Sequence, residues 1–458
     1  MYKQLIQLLG EDKVSKSETQ LFHHSKDESY HPAVEPDVVV FPSCKEDVVA
    51  IVQFANQQTI PIIPFGAGSG LEGQAIPVKK GISISFQNMN QIVSFQPDDM
   101  LVTVQPGVTR LQLNEAVNRK GLFFPVDPGA DATIGGMAAT NASGTAAVRY
   151  GTMRDQVLQL EVVLPNGKII QAGSLAKKSS SGYHLNGLFI GSEGTLGVFT
   201  EITLKLQGIP EAVLAARCSF SNIEASVKAA QAVLHAGIPV GRMELVDDVS
   251  IRKVNEYSGT SYPEQPSLFF EFHGNESGIK EDAALAEMIA REAGSIDWLA
   301  ETDSKARATL WKARHELAYA FRHQNPKLKA GGTDVCVPIS KLGEVVSYAR
   351  NIIDQYGIEG GVLGHIGDGN FHTIYMYDPD NPDEIRTMNE IDGHIVKLAL
   401  SYGGTCTGEH GVGLGKIKYQ QAEHGASLEL MQDIKQLIDP KQIMNPGKVL
   451  PRVTHNTL

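Results

Sequence analysis

Apolar positions along this chain recur in two rhythms, and the changes of rhythm divide it. Residues 38–41 and 60–65 are apolar runs of strand length. Between them Ser43-Cys44-Lys45-Glu46 reads as a capping box that opens an apolar-periodic helix through Ala55. Further strands are expected at 82–86 and 101–104, and Thr109 with Gln112 caps a helix that Gly121 ends. This β-α-β order marks an α/β unit, preceded by a helical leader over residues 1–33. Residues 157–164 read as a strand, Pro165-Asn166-Gly167 as a hairpin turn, and Ile169-Ile170 as the return.

The pattern changes near Gly208-Ile209-Pro210. Strands at 213–220, 267–273 and 297–300 then alternate with a helix capped by Ser221 and Glu224 and a helix over 282–292. A long amphipathic helix over 304–323 carries Trp311, Arg314 and His315. A strand at 334–338 and a helix from Ser340 to about residue 356 follow. This reads as a separate α+β domain. Residues 389–451 are largely helical, broken by a glycine-rich loop at 403–415.

Between strand-like flanks lies Gly364-His365-Ile366-Gly367-Asp368-Gly369-Asn370-Phe371-His372. Its Asp-Gly and Gly-Asn steps favour a sharp reversal, which brings His365 and His372 together. Paired imidazoles suit a transition metal but need a further ligand. Glu409 and His410, in Gly408-Glu409-His410-Gly411, are the other residues of that chemistry in a glycine-flanked loop.

Three more stretches are rich in glycine and small residues. The first, Gly66-Ala67-Gly68-Ser69-Gly70-Leu71-Glu72-Gly73, contains a literal G-x-G-x-x-G. A dinucleotide fingerprint requires a helix to follow; Pro77 and the absence of helical period argue against one. Its backbone N–H groups can still cradle a pyrophosphate. The second stretch, 125–144, offers Thr133, Thr140, Asn141 and Ser143 among small residues, and reads either as a flat ligand surface or as a closely packed helix. The third is 191–198. Together the three suit one long ligand with a phosphate region and a ring region.

Composition narrows the class. With 458 residues, 42% hydrophobic and 20% charged, the chain has the make-up of a soluble globular protein of two or three domains. A net charge of −12 argues against nucleic acid as a partner. Four scattered cysteines form no C-x-x-C pair, which points to reduced thiols and a cytoplasmic location. No secretory or transit peptide and no apolar run of spanning length is evident, and peripheral association with a membrane stays compatible with that.

The glycine stretches, the His365/His372 hairpin and the 408–411 loop resemble the FAD-dependent D-lactate dehydrogenase / glycolate oxidase FAD-subunit family. That family lies within the vanillyl-alcohol-oxidase / p-cresol-methylhydroxylase (PCMH) flavoprotein superfamily. Residues 125–132 and 334–340 carry the narrower likeness to its cytochrome- or quinone-linked D-lactate members. The resemblance implies an α+β protein: a PCMH-type two-subdomain FAD-binding domain over 34–210, an α+β, ferredoxin-like cap over 211–400, and a helical C-terminal segment over 401–458.

Carried over by position, Gly66, Ala67, Gly68, Ser69, Gly70, Leu71 and Gly73 hold the FAD pyrophosphate. Asp131, Thr133, Ile134, Gly135, Gly136, Ala139, Asn141, Ser143 and Gly144 line the ribityl and flavin region. Glu193, Gly197, Val198 and the tail residue Asn445 complete the cleft. The first loop holds no histidine for covalent attachment, so non-covalent FAD is expected.

The chemistry expected is oxidation of a D-2-hydroxy acid, D-lactate first and glycolate second. His365, His372 and Glu409 would hold a divalent metal, zinc or manganese, and His410 would take the hydroxyl proton. Arg314 would bind the substrate carboxylate and Asn370 would touch metal or substrate. A cytochrome, a quinone or an electron-transfer flavoprotein would accept the electrons, and a homodimer is compatible. A non-catalytic flavoprotein scaffold is the reading from another class.

Overall fold

The structure is a computed structural model that describes residues 1–323 and 327–451. The chain forms two compact units: Met1–Ser143, Gly151–Ile209 and Glu409–Leu458 make the first, and Gly144–Tyr150 with Pro210–Gly408 the second. The crossing at Ile209 and Pro210 lies where the apolar rhythm changes. The return lies at Glu409 rather than at 401, because helix Pro382–Ser401 and the turn after it stay with the second unit.

The first unit holds two main sheets. One is four-stranded, in the order Val14–Ser15, Val38–Val40, Ile82–Ser85, Ile62–Phe65. Its last three strands run parallel, and Val38–Val40 and Ile82–Ser85 are buried throughout. Val38–Val40 is a continuous apolar run, as a parallel strand covered on both faces needs, whereas Ile82–Ser85 buries two serines between its isoleucines. The leader does not stand apart: Val14–Ser15 pairs antiparallel with this sheet, and Leu5 is buried in its core. The other sheet is five-stranded and antiparallel, in the order Ile92–Gln96, Leu101–Val104, Val198–Lys205, Val157–Val163, Ile169–Gly173. Its hairpin turns at Pro165-Asn166-Gly167 as expected, with Val163 opposite Ile169.

Caps differ from expectation in detail. Cys44, not Ser43, is the N-cap of helix Lys45–Gln58, and Asp47 reaches back to accept from the Ser43 N–H and hydroxyl at 2.9 and 3.1 Å. Thr109 and Gln112 form the expected capping box on helix Arg110–Asn118. Asn222 rather than Ser221 caps helix Ile223–His235, and helix Glu276–Glu292 starts earlier than 282 because Asn275 caps it.

The second unit is built on an eight-stranded sheet whose paired strands are all antiparallel. Its order is Leu299–Glu301, Ala212–Ser219, Ser267–Gly274, Val240–Val246, Gly360–Gly364, Asn370–Tyr377, Lys329–Gly331, with Asp334–Cys336 also on Asn370–Tyr377. The first four strands, with helices Ile223–His235 and Glu276–Glu292, follow the ferredoxin-like β-α-β-β-α-β plan with helix Asp248–Ser258 inserted between strands Val240–Val246 and Ser267–Gly274. The 360–377 hairpin extends it. The helix expected over 304–323 is kinked: Ser304–His315 and Leu317–His323 meet at Glu316, whose carboxylate accepts from the Ser258 hydroxyl. Leu310, Trp311 and Phe321 from this pair pack with Val246, Phe269 and Leu363 of the sheet. Among the described residues, no helix is long and apolar enough to cross a membrane, and none of the four cysteines is in a disulfide.

The tail returns to the first unit and pairs with strand Ile62–Phe65, where the Ile62 N–H donates to Ile443 O and the Asn445 N–H to Ile62 O at 2.7 and 2.8 Å. A buried ion pair anchors it. Lys435 Nζ lies 2.5 Å from Asp439 and also donates to Thr195 O and Met444 O. Asp439 in turn accepts from the Ile443 and Met444 N–H groups. Asp439→Ala leaves a buried ammonium unpaired, so a loss of about 3–5 kcal/mol is expected in urea unfolding. A loss below about 1 kcal/mol would contradict this anchoring.

Candidate functional site

In the second unit, the turn at 365–369 joins strands Gly360–Gly364 and Asn370–Tyr377, with Leu363 opposite His372. The imidazoles of His365 and His372 meet edge to face, their centroids 5.3 Å apart and a ring nitrogen of each within 4.8 Å of the other. Each Nδ1 faces a carboxylate that has no solvent exposure. His365 Nδ1 donates to Glu244 Oε1 at 2.6 Å, and His372 Nδ1 lies 3.5 Å from Asp334 Oδ1. A ring whose Nδ1 is held by a carboxylate presents Nε2 as its ligand atom.

Both carboxylates are tied further. Glu244 Oε2 accepts from Arg314 Nε at 2.7 Å. Burial would push the Glu244 carboxyl up, but His365 and Arg314 more than offset it and hold it below the usual carboxylate range. Asp334 Oδ1 accepts from Asn370 Nδ2 at 2.9 Å, and Asp334 Oδ2 accepts from the Thr407 hydroxyl at 2.8 Å. Asn370 is buried, and its Oδ1 has no protein partner among the described residues. The Gly408 N–H donates to Asp334 O at 2.9 Å, and any side chain on Gly408 would collide with the Asn370 amide. Glu409 is joined to that anchored glycine by a single peptide bond.

Glu244 and Asp334 did not emerge as site residues from the sequence. The available signal was one acid inside an otherwise apolar strand, Met243-Glu244-Leu245-Val246, where a charge needs a buried partner.

In the first unit the three glycine stretches converge. Gly66 to Gly73 is irregular and leads to strand Ile82–Ser85 with no helix, so no dinucleotide fingerprint forms. Gly66 lies so close to the Thr133 hydroxyl that a Cβ there would overlap it. Thr133 caps the short helix Ile134–Thr140 and accepts the Gly136 N–H at 3.3 Å, so the second stretch is a helix as well as a lining. The third stretch docks on its end, where the Gly191 and Glu193 N–H groups donate to Ala138 O and Ala139 O at 3.0 and 2.8 Å. Asn445 Nδ2 bridges to Glu193 O at 2.7 Å and Gln74 O at 3.0 Å.

Several nominated positions face inward. Ile134 is fully buried in the core, Gly135 abuts Pro106, Gly197 abuts Val162, and Val198 pairs with Val163. Asn141 Oδ1 accepts from the Thr152 hydroxyl and the Arg154 N–H, and Asp131 Oδ1 from the Leu111 N–H. Ala67 and Leu71 are exposed, and Gly68, Ser69 and Gly70 are half-buried. Gly73, Ala139 and Ser143 stay in the first unit, whereas Gly144 opens the short segment that belongs to the second. The buried Ser192 hydroxyl has no protein partner among the described residues. A partly exposed glycine loop and a buried hydroxyl without a protein partner among the described residues fit a long phosphate-bearing ligand.

The Glu193 carboxylate is spent on protein. It accepts from the Val412 and Gly413 N–H groups at 2.6 and 2.9 Å, and Gln74 Nε2 donates to His410 O at 2.7 Å. These contacts fix the chain just after His410.

A model of the C-terminal domain of FAD linked oxidases matches residues 209–449, and a model of an FAD binding domain matches residues 36–173. The chain belongs to the FAD-linked oxidase family. A zebrafish (Danio rerio) relative, described as a probable mitochondrial D-lactate dehydrogenase, is 44% identical over 98% of this chain and 91% of its own length. An Arabidopsis thaliana mitochondrial D-lactate dehydrogenase [cytochrome] is 43% identical over 98% of this chain and 80% of its own. The glycolate oxidase subunit GlcD of Bacillus subtilis is 33% identical over 98% and 96%. In fold, the chain matches p-cresol methylhydroxylase with a TM-score of 0.78 at 18% identity, covering 98% of this chain and 95% of that one. The FAD-linked oxidase is thus an oxidoreductase of PCMH-type fold whose first domain is an FAD-binding one.

Burial lifts the Glu193 carboxyl to about 7, against the opposing pull of the Val412 and Gly413 amides and of Lys448. A carboxyl raised above its unfolded value of 4.5 takes up a proton on folding, so stability falls as pH rises from 4.5 to about 7. Glu193→Gln removes that dependence. Between those pH values the stability difference is expected to shift in favour of the variant by roughly 3 kcal/mol in urea unfolding of the FAD-loaded proteins. A difference that stays constant with pH would rule this out.

Proposed function

We propose that this FAD-linked oxidase oxidises a D-2-hydroxy acid, D-lactate to pyruvate, with His365, His372 and Glu409 holding a divalent metal. The observation that carries the reading is the pair of imidazoles, each with its Nδ1 against a fully buried carboxylate and their ring nitrogens within 4.8 Å. Two imidazoles and one carboxylate leave open positions, as catalytic metal sites do, and suit zinc or manganese. The names of the 44% and 43% identical relatives support D-lactate as the substrate.

When bound, FAD supplies a two-electron acceptor for the hydride from the substrate Cα, and the metal a Lewis acid for its hydroxyl. Arg314, held at Nε by Glu244, offers its Nη edge to the substrate carboxylate in a fork that suits two parallel hydrogen bonds. His410 takes the hydroxyl proton as general base; its backbone is held by Gln74 and its ring is 24% exposed. Asn370 Oδ1, buried and lacking a protein partner, accepts a hydrogen bond from the substrate hydroxyl in the ground state. FAD is held non-covalently, since no histidine lies in the Gly66 to Gly73 loop. The electrons pass to a cytochrome, as the name of the Arabidopsis relative suggests. The second reading is the FAD subunit of a glycolate oxidase, favoured by the name of the 33% identical Bacillus relative.

Anaerobic mixing should bleach the flavin with D-lactate faster than with glycolate, and L-lactate should leave it oxidised. Preference for glycolate would move the protein to the second reading. His410→Ala should slow bleaching by about 10²–10⁴-fold while metal content, measured by elemental analysis, stays at wild type. Bleaching within threefold of wild type would remove His410 from the base role.

A further inference from the structure

Glu244 sits inside strand Val240–Val246, whose neighbour is Gly360–Gly364, with Leu245 opposite Gly364. His365 is the next residue after that neighbouring strand, so its ring falls beside Glu244. Helix Ser304–His315 brings Arg314 to the other carboxylate oxygen. Both oxygens are used, Oε1 by His365 Nδ1 at 2.6 Å and Oε2 by Arg314 Nε at 2.7 Å, and the residue has no solvent exposure.

A carboxylate with no solvent exposure draws its hydrogen bonds from protein donors, and among the described residues this one has two. Gripping Nδ1–H fixes the His365 tautomer and ring plane, which leaves Nε2 for a metal. Gripping Arg314 Nε restrains the guanidinium and keeps its Nη edge clear of Glu244 for a substrate carboxylate. The geometry points to Glu244 as a positioning residue that aligns the metal-ligating imidazole and the carboxylate-binding guanidinium through one side chain. It rests on the reading of His365 as a ligand and Arg314 as the substrate's anchor. Glu244 touches neither metal nor substrate.

The consequence is a paired defect. In Glu244→Gln the side chain keeps its size, but its amide presents an N–H to one of the two donors, and the buried charge that balanced Arg314 is gone. Titration of Mn(II) into substrate-free, FAD-loaded protein should show affinity weakened by about 10–100-fold. At saturating Mn(II) the KM for D-lactate should rise by about tenfold or more, because Arg314 is no longer held. Flavin content should match wild type. Mn(II) affinity and KM both within twofold of wild type would overturn the proposal, and a change in only one would overturn the shared role.

If Glu244→Gln does not fold, the wild type decides. Nitrogen-15 histidine spectra of the metal-free, FAD-loaded protein should show His365 as the Nδ1–H tautomer, and an Nε2–H tautomer overturns the assignment. Wild type that binds Mn(II) but transfers no electrons from any 2-hydroxy acid would sink the functional reading. The Mn(II) titration would still test Glu244 in that case.

Discussion

Two carboxylates with no solvent exposure, Glu244 and Asp334, are the constraint on which the second unit depends. An ionised carboxylate in such a place costs several kcal/mol unless donors surround it. The eight-stranded sheet supplies those donors from strands, a helix and the turn beyond Cys406. Arg314 and His365 donate to Glu244; Asn370 and Thr407 donate to Asp334, with His372 Nδ1 3.5 Å from it. The two imidazoles are therefore not a pair left to find their own orientation. The His365 ring is held by its acid, and the two rings cross edge to face with a ring nitrogen of each within 4.8 Å of the other.

The first unit solves a different problem, that of bringing remote glycine stretches to one place and holding them open. Small residues let the backbones approach, as Gly66 does to Thr133. The tail then locks them. Asn445 reaches both Gln74 O and Glu193 O, while Glu193 and Gln74 grip the chain from His410 to Gly413. Glu193 thus binds protein with both oxygens, and the loop that carries His410 is held by the same residues that border the cofactor stretches.

Strands and turns with strong local signals were legible in the sequence: the 157–173 hairpin, the Thr109 capping box and the 360–377 hairpin stand where the pattern puts them. Starts of helices were less so. Asparagine caps at Asn222 and Asn275 won over the neighbouring serine and the apolar period. The leader's strand was hidden because Val14–Ser15 is too short to show alternation and forms only by pairing with Val39 and Val40. In the site, the histidines were readable because a glycine turn brings them together locally. Glu244 and Asp334 were not, since their partners lie 70 and 36 or more positions away and only tertiary packing joins them. Ile134, Gly135, Gly197 and Val198 were named by position from the family likeness; Ile134 and Val198 are buried in the core, and a Cβ on Gly135 or Gly197 would meet Pro106 or Val162.

The reading turns on where a divalent metal binds. An anomalous difference map from crystals of the Mn(II)-loaded holoenzyme locates it directly. One peak bonded to Nε2 of His365, Nε2 of His372 and the carboxylate of Glu409 is the predicted result. A peak at other residues, or none at full Mn(II) loading, would contradict it.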